Sequence, residues 1–379
     1  MHPLLEDVHE LLRRSTAEFA EARIEPLAKA IEVNGEYPRQ LMGELGKQGL
    51  LAPMAPPEYG GGGLDFRSEV IIIEEVAKHS PTLATLMEVQ GALIVDSILS
   101  HGSQVVKERF LEGLVKGDLI ASFALTEPCC GSDAGAIETR AIKDGGEWVI
   151  NGRKAWVTSG QYADLYLVFA RTGGVEERHR AITAFLVPKG NCIEVNPMGV
   201  MGIKGGGTAE VSLRDCRIPD EYRVGDVNRG FYLAMEKLNL GRTCVGAIGL
   251  GIAERALNEA YSYAQVRRIY GGVLAQLGVI QGYLAQMYAQ VEALRGFVYL
   301  TAYMRDKGLS EFIKYAQVAK YLGSTTAVNV TRTAIQVMGA AGLSTESPLE
   351  YLYRDAKVTE VYEGANEVIL YSLFKMLGK

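Results

Sequence analysis

One carboxylate, Glu363, stands directly before a glycine in the segment Val361-Tyr-Glu-Gly-Ala-Asn-Glu367. Glycine breaks a helix, so the acid falls at a turn from which it can project into a cleft. A carboxylate held there is a candidate general base if apolar neighbours exclude water and raise its pKa. The plainer alternative is a solvated acid at a helix end, with Gly364 as its cap and Asn366 opening the next helix. A second segment, Phe123-Ala-Leu-Thr-Glu-Pro-Cys-Cys-Gly-Ser-Asp133, has the makings of a polar turn. Pro128 fixes one dihedral and removes a donor, and Gly131 permits conformations other residues avoid. Ser132 and Asp133 add a hydroxyl and a carboxylate, which suits a loop that cradles an anion or a cofactor. Trp156-Val-Thr158 adds an aromatic slab and another hydroxyl, although a strand edge would read the same way.

Other chemistries fail on spacing. Gly246, Gly249 and Gly251 follow no strand, so a dinucleotide fingerprint is excluded, and Gly60 to Gly63 lacks the Lys-Ser/Thr of a phosphate loop. The five histidines share no metal-binding spacing, and no metal is expected. Five cysteines, two of them the adjacent Cys129-Cys130, form no disulfide or metal framework and read as packing in a reducing interior. A net charge of −6, with no Lys/Arg block longer than two, excludes nucleic acid as a partner. The first twelve residues carry acids where a leader would carry bases, and a cytoplasmic location is expected. Ile269 to Val291 is uncharged and long enough to span a bilayer, yet its four Gln, four Gly and three Tyr point to a buried or interface element instead.

The elements that must position these residues change period along the chain. Up to about residue 120 the pattern is helical: Val8, Leu11, Leu12, Phe19, Ile24, Leu27 and Ile31 recur on roughly one face. Tyr59-Gly-Gly-Gly-Gly63 interrupts it, Ser68 to Ala77 resumes it, and Ser80-Pro81 opens a helix over Thr82 to Leu99. From 121 to 226 the period is two. Ala209, Val211 and Leu213 alternate with polar residues, Leu165 to Ala170 is a short apolar run, and Asn151-Gly152 reads as a tight hairpin turn. Beyond Asn228 the chain is helical again. Ile280, Leu284, Met287, Val291, Leu294 and Val298 form a seam with few charges opposite, as expected of a helix in an oligomer core. The expected fold is α+β: an N-terminal α-helical domain (1–120), a middle β-barrel or sandwich domain (121–226), and a C-terminal helical bundle (227–379).

Taken together, the loop at 123–133 and the Tyr-Glu-Gly motif at 362–364 resemble the acyl-CoA dehydrogenase family, with order and spacing agreeing along nearly the whole chain. The resemblance implies a C-terminal four-helix bundle and an FAD-dependent oxidation of an acyl-CoA to its trans-2-enoyl thioester. It makes Glu363 the base that removes the proton next to the thioester carbonyl, with its own backbone N–H helping to polarise that carbonyl. The alternative base position of some relatives corresponds to Gly241, which has no side chain to serve. Phe123, Leu125 and Thr126 would line the flavin ring, Trp156 would pack on its face and Thr158 would bond the nitrogen that accepts hydride. Ser132 would sit near the pyrophosphate and the pantetheine of the substrate. Arg267 and Tyr270, in a variant of an Arg-x-x-Phe-Gly motif, would reach the FAD of a neighbouring subunit.

Gln336 and Gly339 would border the adenosine half, with Ala365 and Glu367 on the same cofactor. Asn239, Arg242, Tyr362 and Gly364 would serve the substrate, and the 82–99 helix would line the acyl pocket through Thr85, Leu86, Val89, Gln90 and Leu93. Three positions depart from the family pattern on the nucleotide side: Gly278, Ala340 and Ala365. The resemblance further implies an electron-transferring flavoprotein as acceptor and a homotetramer built as a dimer of dimers, with no membrane partner. An oxidase using oxygen, and a CoA-thioester-binding protein without turnover, remain the alternatives.

Overall fold

A computed structural model describes residues 2–377. The N-terminal third is helical: α1 (Asp7–Phe19), α2 (Ala28–Glu32), α3 (Arg39–Lys47), α4 (Phe66–Ala77), α5 (Pro81–Glu88), α6 (Asp96–His101) and α7 (Gln104–Val115). Ser80 caps α5 by accepting from Leu83 N–H, with Pro81 at the first helical position. The expected 82–99 helix is therefore present, but its middle widens into a π turn over Val89–Val95 before α6 continues. This run has the length and apolarity of a membrane helix, yet 89% of its apolar window is buried inside the protein. Leu83, Leu86 and Met87 join one hydrophobic core, and Val89, Leu93 and Ile94 join the other. The run thus ties the helical layers to the sheet.

The middle third carries β1 (Ala121–Ala124), β2 (Arg140–Asp144), β3 (Glu147–Val157), β4 (Leu165–Arg171), β5 (Ile182–Pro188), β6 (Ile193–Pro197), β7 (Ala209–Pro219) and β8 (Arg223–Val224). They form one eight-stranded sheet in the order β6-β7-β3-β2-β4-β5-β8, with β1 parallel to β4. Asn151-Gly152 is not a hairpin turn. β3 runs straight through it, and the two-residue turn falls at Gly145-Gly146, where Asp144 pairs with Glu147. The register of β3 against β7 slips between Ile150 and Gly152, and a β-carbon at Gly152 would lie 2.6 Å from Thr139 Cα. The glycine serves a bulge and a close approach, which share the residue signature of a turn.

The cysteines also depart from the expectation of unpaired packing. Cys129–Cys130 and Cys192–Cys216 are disulfides, and among the described residues Cys244 alone is a free cysteine, buried. Antiparallel pairing of β6 with β7 brings Cys192 and Cys216 together across 24 residues, a proximity invisible in one dimension.

After β8 come α8 (Gly230–Val266), a small hairpin of β9 (Arg268–Ile269) and β10 (Gly272–Val273), then α9 (Gly278–Asp306), α10 (Phe312–Met338), α11 (Leu349–Thr359) and α12 (Asn366–Met376). The three long helices pack on one another, and α11 and α12 both pack on α10. The fourth position of the bundle is thus divided, and Glu363 lies in the break. On α9, Ile280, Met287, Val291, Leu294 and Val298 are buried as the seam requires, while Val279 and Tyr288 stay exposed. The glycines on α8 are crossing points: a β-carbon at Gly323 would lie 2.7 Å from Gly246 Cα, and one at Gly249 would lie 2.6 Å from Gly323 C. Small residues let these two helices approach closely.

Candidate active site

The break between α11 and α12 holds Glu363 in a conformation that few non-glycine residues adopt. Its φ is 55°, followed by Gly364 at 100°. Such backbone persists only where the surroundings impose it, and it concentrates at functional sites. The surroundings do so here. The Arg242 Nε–H donates to the Glu363 carbonyl (3.3 Å), and a second Arg242 nitrogen donates to Asn239 Oδ1 (2.9 Å). Lys320, fully buried on α10, donates from Nζ to the Glu360 carbonyl (3.1 Å) and to Asn366 Oδ1 (2.8 Å), clamping both ends of the turn. Burial lowers the Lys320 ammonium to about 8, with Glu363 opposing that shift.

The side chain of Glu363 points inward. Its Oε2 is sealed from water and has no hydrogen-bond partner among the described residues. Burial raises its pKa above the ordinary carboxylate range, against the pull of Glu88, Arg242 and Lys320. Tyr362 reaches α5, where its hydroxyl lies 3.3 Å from Thr85 Oγ1. Tyr362, next to Glu363 in the chain, therefore meets the 82–99 helix at Thr85. Two expectations shift. The Gln90 amide donates to the Leu114 and Leu119 carbonyls and its oxygen accepts from Ala121 N–H, so it ties α7 and β1 together rather than facing an acyl chain. Arg242 turns toward the backbone of Glu363 instead of outward to a nucleotide. Val89 is buried among the residues of the sheet-side core.

The residues expected beside a flavin lie on β1, in the loop that follows it and at the C-terminal end of β3. The register of β3 against β7 slips again between Lys154 and Val157, which turns Trp156 outward, 58% exposed with φ 58°. Thr126 and Thr158 are both half-buried, and the Ala155 N–H donates to the Thr126 carbonyl (2.9 Å), bringing the 123–133 loop against β3. Lys154 secures that join. Fully buried, it donates to the Leu125 carbonyl (3.0 Å) and to Glu127 Oε1 (2.7 Å), and Glu127 accepts in turn from the Glu138 and Thr139 N–H groups. Burial lowers Lys154 to about 8, opposed by Glu127. Phe123 packs on Phe169 at 4.8 Å between centroids, and Leu125 is buried. Ser132 is exposed, and its neighbour Asp133 accepts two bonds from Arg178. The sulfurs of Cys129 and Cys130 lie near Glu127, but they are bonded to each other and so offer no thiolate for a metal.

Arg267 and Tyr270 lie exposed around the β9–β10 hairpin, with Tyr270 91% exposed, and Gln336 and Gly339 are exposed at the end of α10. Ala365 and Glu367 open α12, Glu367 facing solvent. Within one chain these residues are open to another molecule.

The family's N-terminal domain matches residues 6–118, its middle domain 122–216 and its C-terminal domain 228–377. The chain belongs to the acyl-CoA dehydrogenase family. It is 37% identical over 366 residues to the mitochondrial short-chain specific acyl-CoA dehydrogenase of Homo sapiens, covering 96% of this chain and 88% of that one. An acyl-CoA dehydrogenase of Bacillus subtilis is likewise 37% identical, with 97% of each chain covered. Among solved structures, the butyryl-CoA dehydrogenase of Megasphaera elsdenii superposes with a TM-score of 0.95 at 34% identity, over 99% of each chain. Acyl-CoA dehydrogenases are flavin-dependent oxidoreductases acting on CH–CH groups, and the residues present fit a flavin. A flat, outward-turned tryptophan beside two short hydroxyls suits a planar ring with a polar edge, and the buried Lys154–Glu127 pair fixes the loop that carries one of them.

Local sequence did not reveal Lys154, Lys320 or Glu88. The partners of Lys320 lie 40 and 46 residues away, and those of Lys154 lie 27 and 29 away. Lys320 lies in a largely apolar helical stretch, and nothing in the sequence around Lys154 marks it as buried.

Proposed function

We propose that Glu363 removes a proton from C2 of an acyl-CoA thioester while hydride leaves C3, giving the trans-2-enoyl-CoA. The observation that carries this reading is a carboxyl at a strained turn, with Oε2 closed off from water, raised in pKa and crowded with Glu88 against Gly241. Bound FAD supplies the two-electron acceptor for the hydride. Thr126, Trp156 and Thr158 would hold its ring, and Ser132 would lie toward the pyrophosphate. Arg267 and Tyr270 would engage it from a second copy of the chain, with Gln336, Gly339, Ala365 and Glu367 on its nucleotide side. Arg242 and Asn239 hold the base from beneath, and Arg242 keeps a cation near the carboxylate without pairing with it. Burial keeps water from Oε2, so the base meets its proton in a medium where the carboxylate is a stronger base than in solution.

Electrons would pass on to an electron-transferring flavoprotein, and four chains would assemble as a dimer of dimers. Acyl-CoA added without oxygen should bleach the yellow of the loaded protein. Unbleached protein that still binds acyl-CoA would instead mark a thioester-binding protein, and stoichiometric hydrogen peroxide in air would mark an oxidase.

A further inference from the structure

Three carboxyl groups meet between α4, α5 and the Tyr362–Gly364 turn, with Glu69 and Glu88 buried and Glu363 half-buried. Glu363 Oε2, Glu88 Oε1 and both oxygens of Glu69 are sealed from water and have no hydrogen-bond partner among the described residues. Glu88 closes α5 at the point where the helix widens into its π turn, a distortion frequent at functional sites. Gly241 on α8 faces the gap between the first two. A β-carbon at 241 would lie 2.5 Å from Glu88 Oε1 and 2.6 Å from Glu363 Oε1, so both carboxyls crowd one point. Two ionised carboxylates are acceptors only and would repel across such a gap. With one proton between them, one can donate to the other.

We propose that Glu88 is the protonated partner of the base, its O–H donating to the Glu363 carboxylate and holding it ionised and oriented across the space left by Gly241. The inference rests on Glu363 being the base. Glu88 is on this reading a positioning residue, since it acts through Glu363 and not on the substrate.

The groups packed around the pair decide which member keeps the proton. Glu363 faces Arg242 from α8 and Lys320 from α10, and both favour its charged form. Glu88 faces two acids, Glu363 from the turn and Glu69 from α4, and burial raises it well above the ordinary carboxylate range. Glu69 is itself held neutral by burial, with its pKa pushed up to about 8. Cys244 on α8 and Tyr362 stay neutral because burial pushes thiol and phenol up, and the Tyr362 hydroxyl is directed to Thr85. The pair therefore carries one negative charge, placed on the member nearer the cations.

Two variants separate this role from mere packing. Glu88→Gln keeps an N–H donor of similar shape, whereas Glu88→Leu keeps the volume and removes the donor. Rates of flavin reduction by acyl-CoA are measured against pH for both, beside wild type and Glu363→Gln. The acid limb of Glu88→Leu should move up by about one to two pH units, the equivalent of one hydrogen bond to a charged group. Glu88→Gln should restore the wild-type limb. In protein free of substrate and cofactor, the infrared carbonyl absorption of a protonated carboxyl should diminish in Glu88→Gln relative to wild type. An unmoved limb in Glu88→Leu would overturn the proposal, and so would an unchanged infrared absorption. A Glu88→Leu variant altered only in its choice of acyl chain would assign Glu88 to pocket shape. Should Glu363→Gln reduce flavin normally, the base assignment itself falls. An inactive Glu363→Gln beside an unmoved Glu88→Leu limb would remove only the role of Glu88.

Discussion

At the scale of single residues, the site is a set of ionisable groups moved away from their ordinary pKa values by burial. Because the Glu363 pKa is raised, the carboxyl holds its proton to higher pH than a solvated acid, and a base must be free of it. Flavin reduction should therefore fall as pH drops through a midpoint above about 4.5, the ordinary value for a glutamate, and stopped-flow absorbance across pH reads that midpoint. Glu69 gives a stability prediction of defined sign. Its folded pKa lies near 8 against 4.5 when unfolded, so its contribution to stability is complete below pH 4.5 and is lost as pH rises to about 8. Glu69→Leu should remove that loss, on the order of a few kcal/mol, and melting curves at both ends of the window should diverge from wild type only at the alkaline end. Glu363 was legible in the sequence through its motif and position, not through local pattern. Glu88 and Glu69 were not, because helical spacing places an acid on a face without saying that the face is sealed.

At the scale of elements, strained or interrupted segments do the positioning. Glu363 depends on the divided fourth helix, Trp156 on a bulge in β3, and Glu88 on a π turn. Lys154 and Lys320 fix two of these from the interior. Lys154→Met should leave Glu127 buried without its cation, a defect that typically costs about 3–5 kcal/mol. It should also lower FAD occupancy, since the loop bearing Thr126 loses its tie to β3. Calorimetry and the flavin absorbance of the purified protein check both, and an unchanged melting temperature would mean that Glu127 finds another partner. Much of this architecture was readable beforehand. The alternation from Ala209 to Leu213 and the seam from Ile280 to Val298 fall in a strand and a helix as expected. Asn151-Gly152 was misread because a turn and a bulge use the same residues, and only pairing with β7 on the far side distinguishes them.

At the scale of the whole molecule, one chain leaves apolar side chains in water. Val279, Tyr288, Ile313, Leu370, Tyr371 and Phe374 are exposed on α9, α10 and α12. Symmetric assembly is the common way to cover such surfaces. Light scattering should give about four times the 41.2 kDa of one chain, and a monomer at micromolar concentration would contradict the assembly. Arg267→Ala should lower FAD occupancy more than acyl-CoA binding and should weaken assembly, because on the proposed reading the lost bond would join two subunits. A charge-assisted bond of that kind is worth roughly 1.5–3 kcal/mol. An FAD-replete monomer on dilution would exclude a shared cofactor site.

The account turns on Glu363, and Glu363→Gln tests it most directly. The amide is nearly isosteric and cannot take up the proton, so the variant should fold, stay yellow and bind acyl-CoA. Its rate of flavin reduction by acyl-CoA, followed anaerobically at a single turnover, should fall by about 10²–10⁴-fold or more. Reduction at the wild-type rate would contradict the assignment and send the search for the base elsewhere.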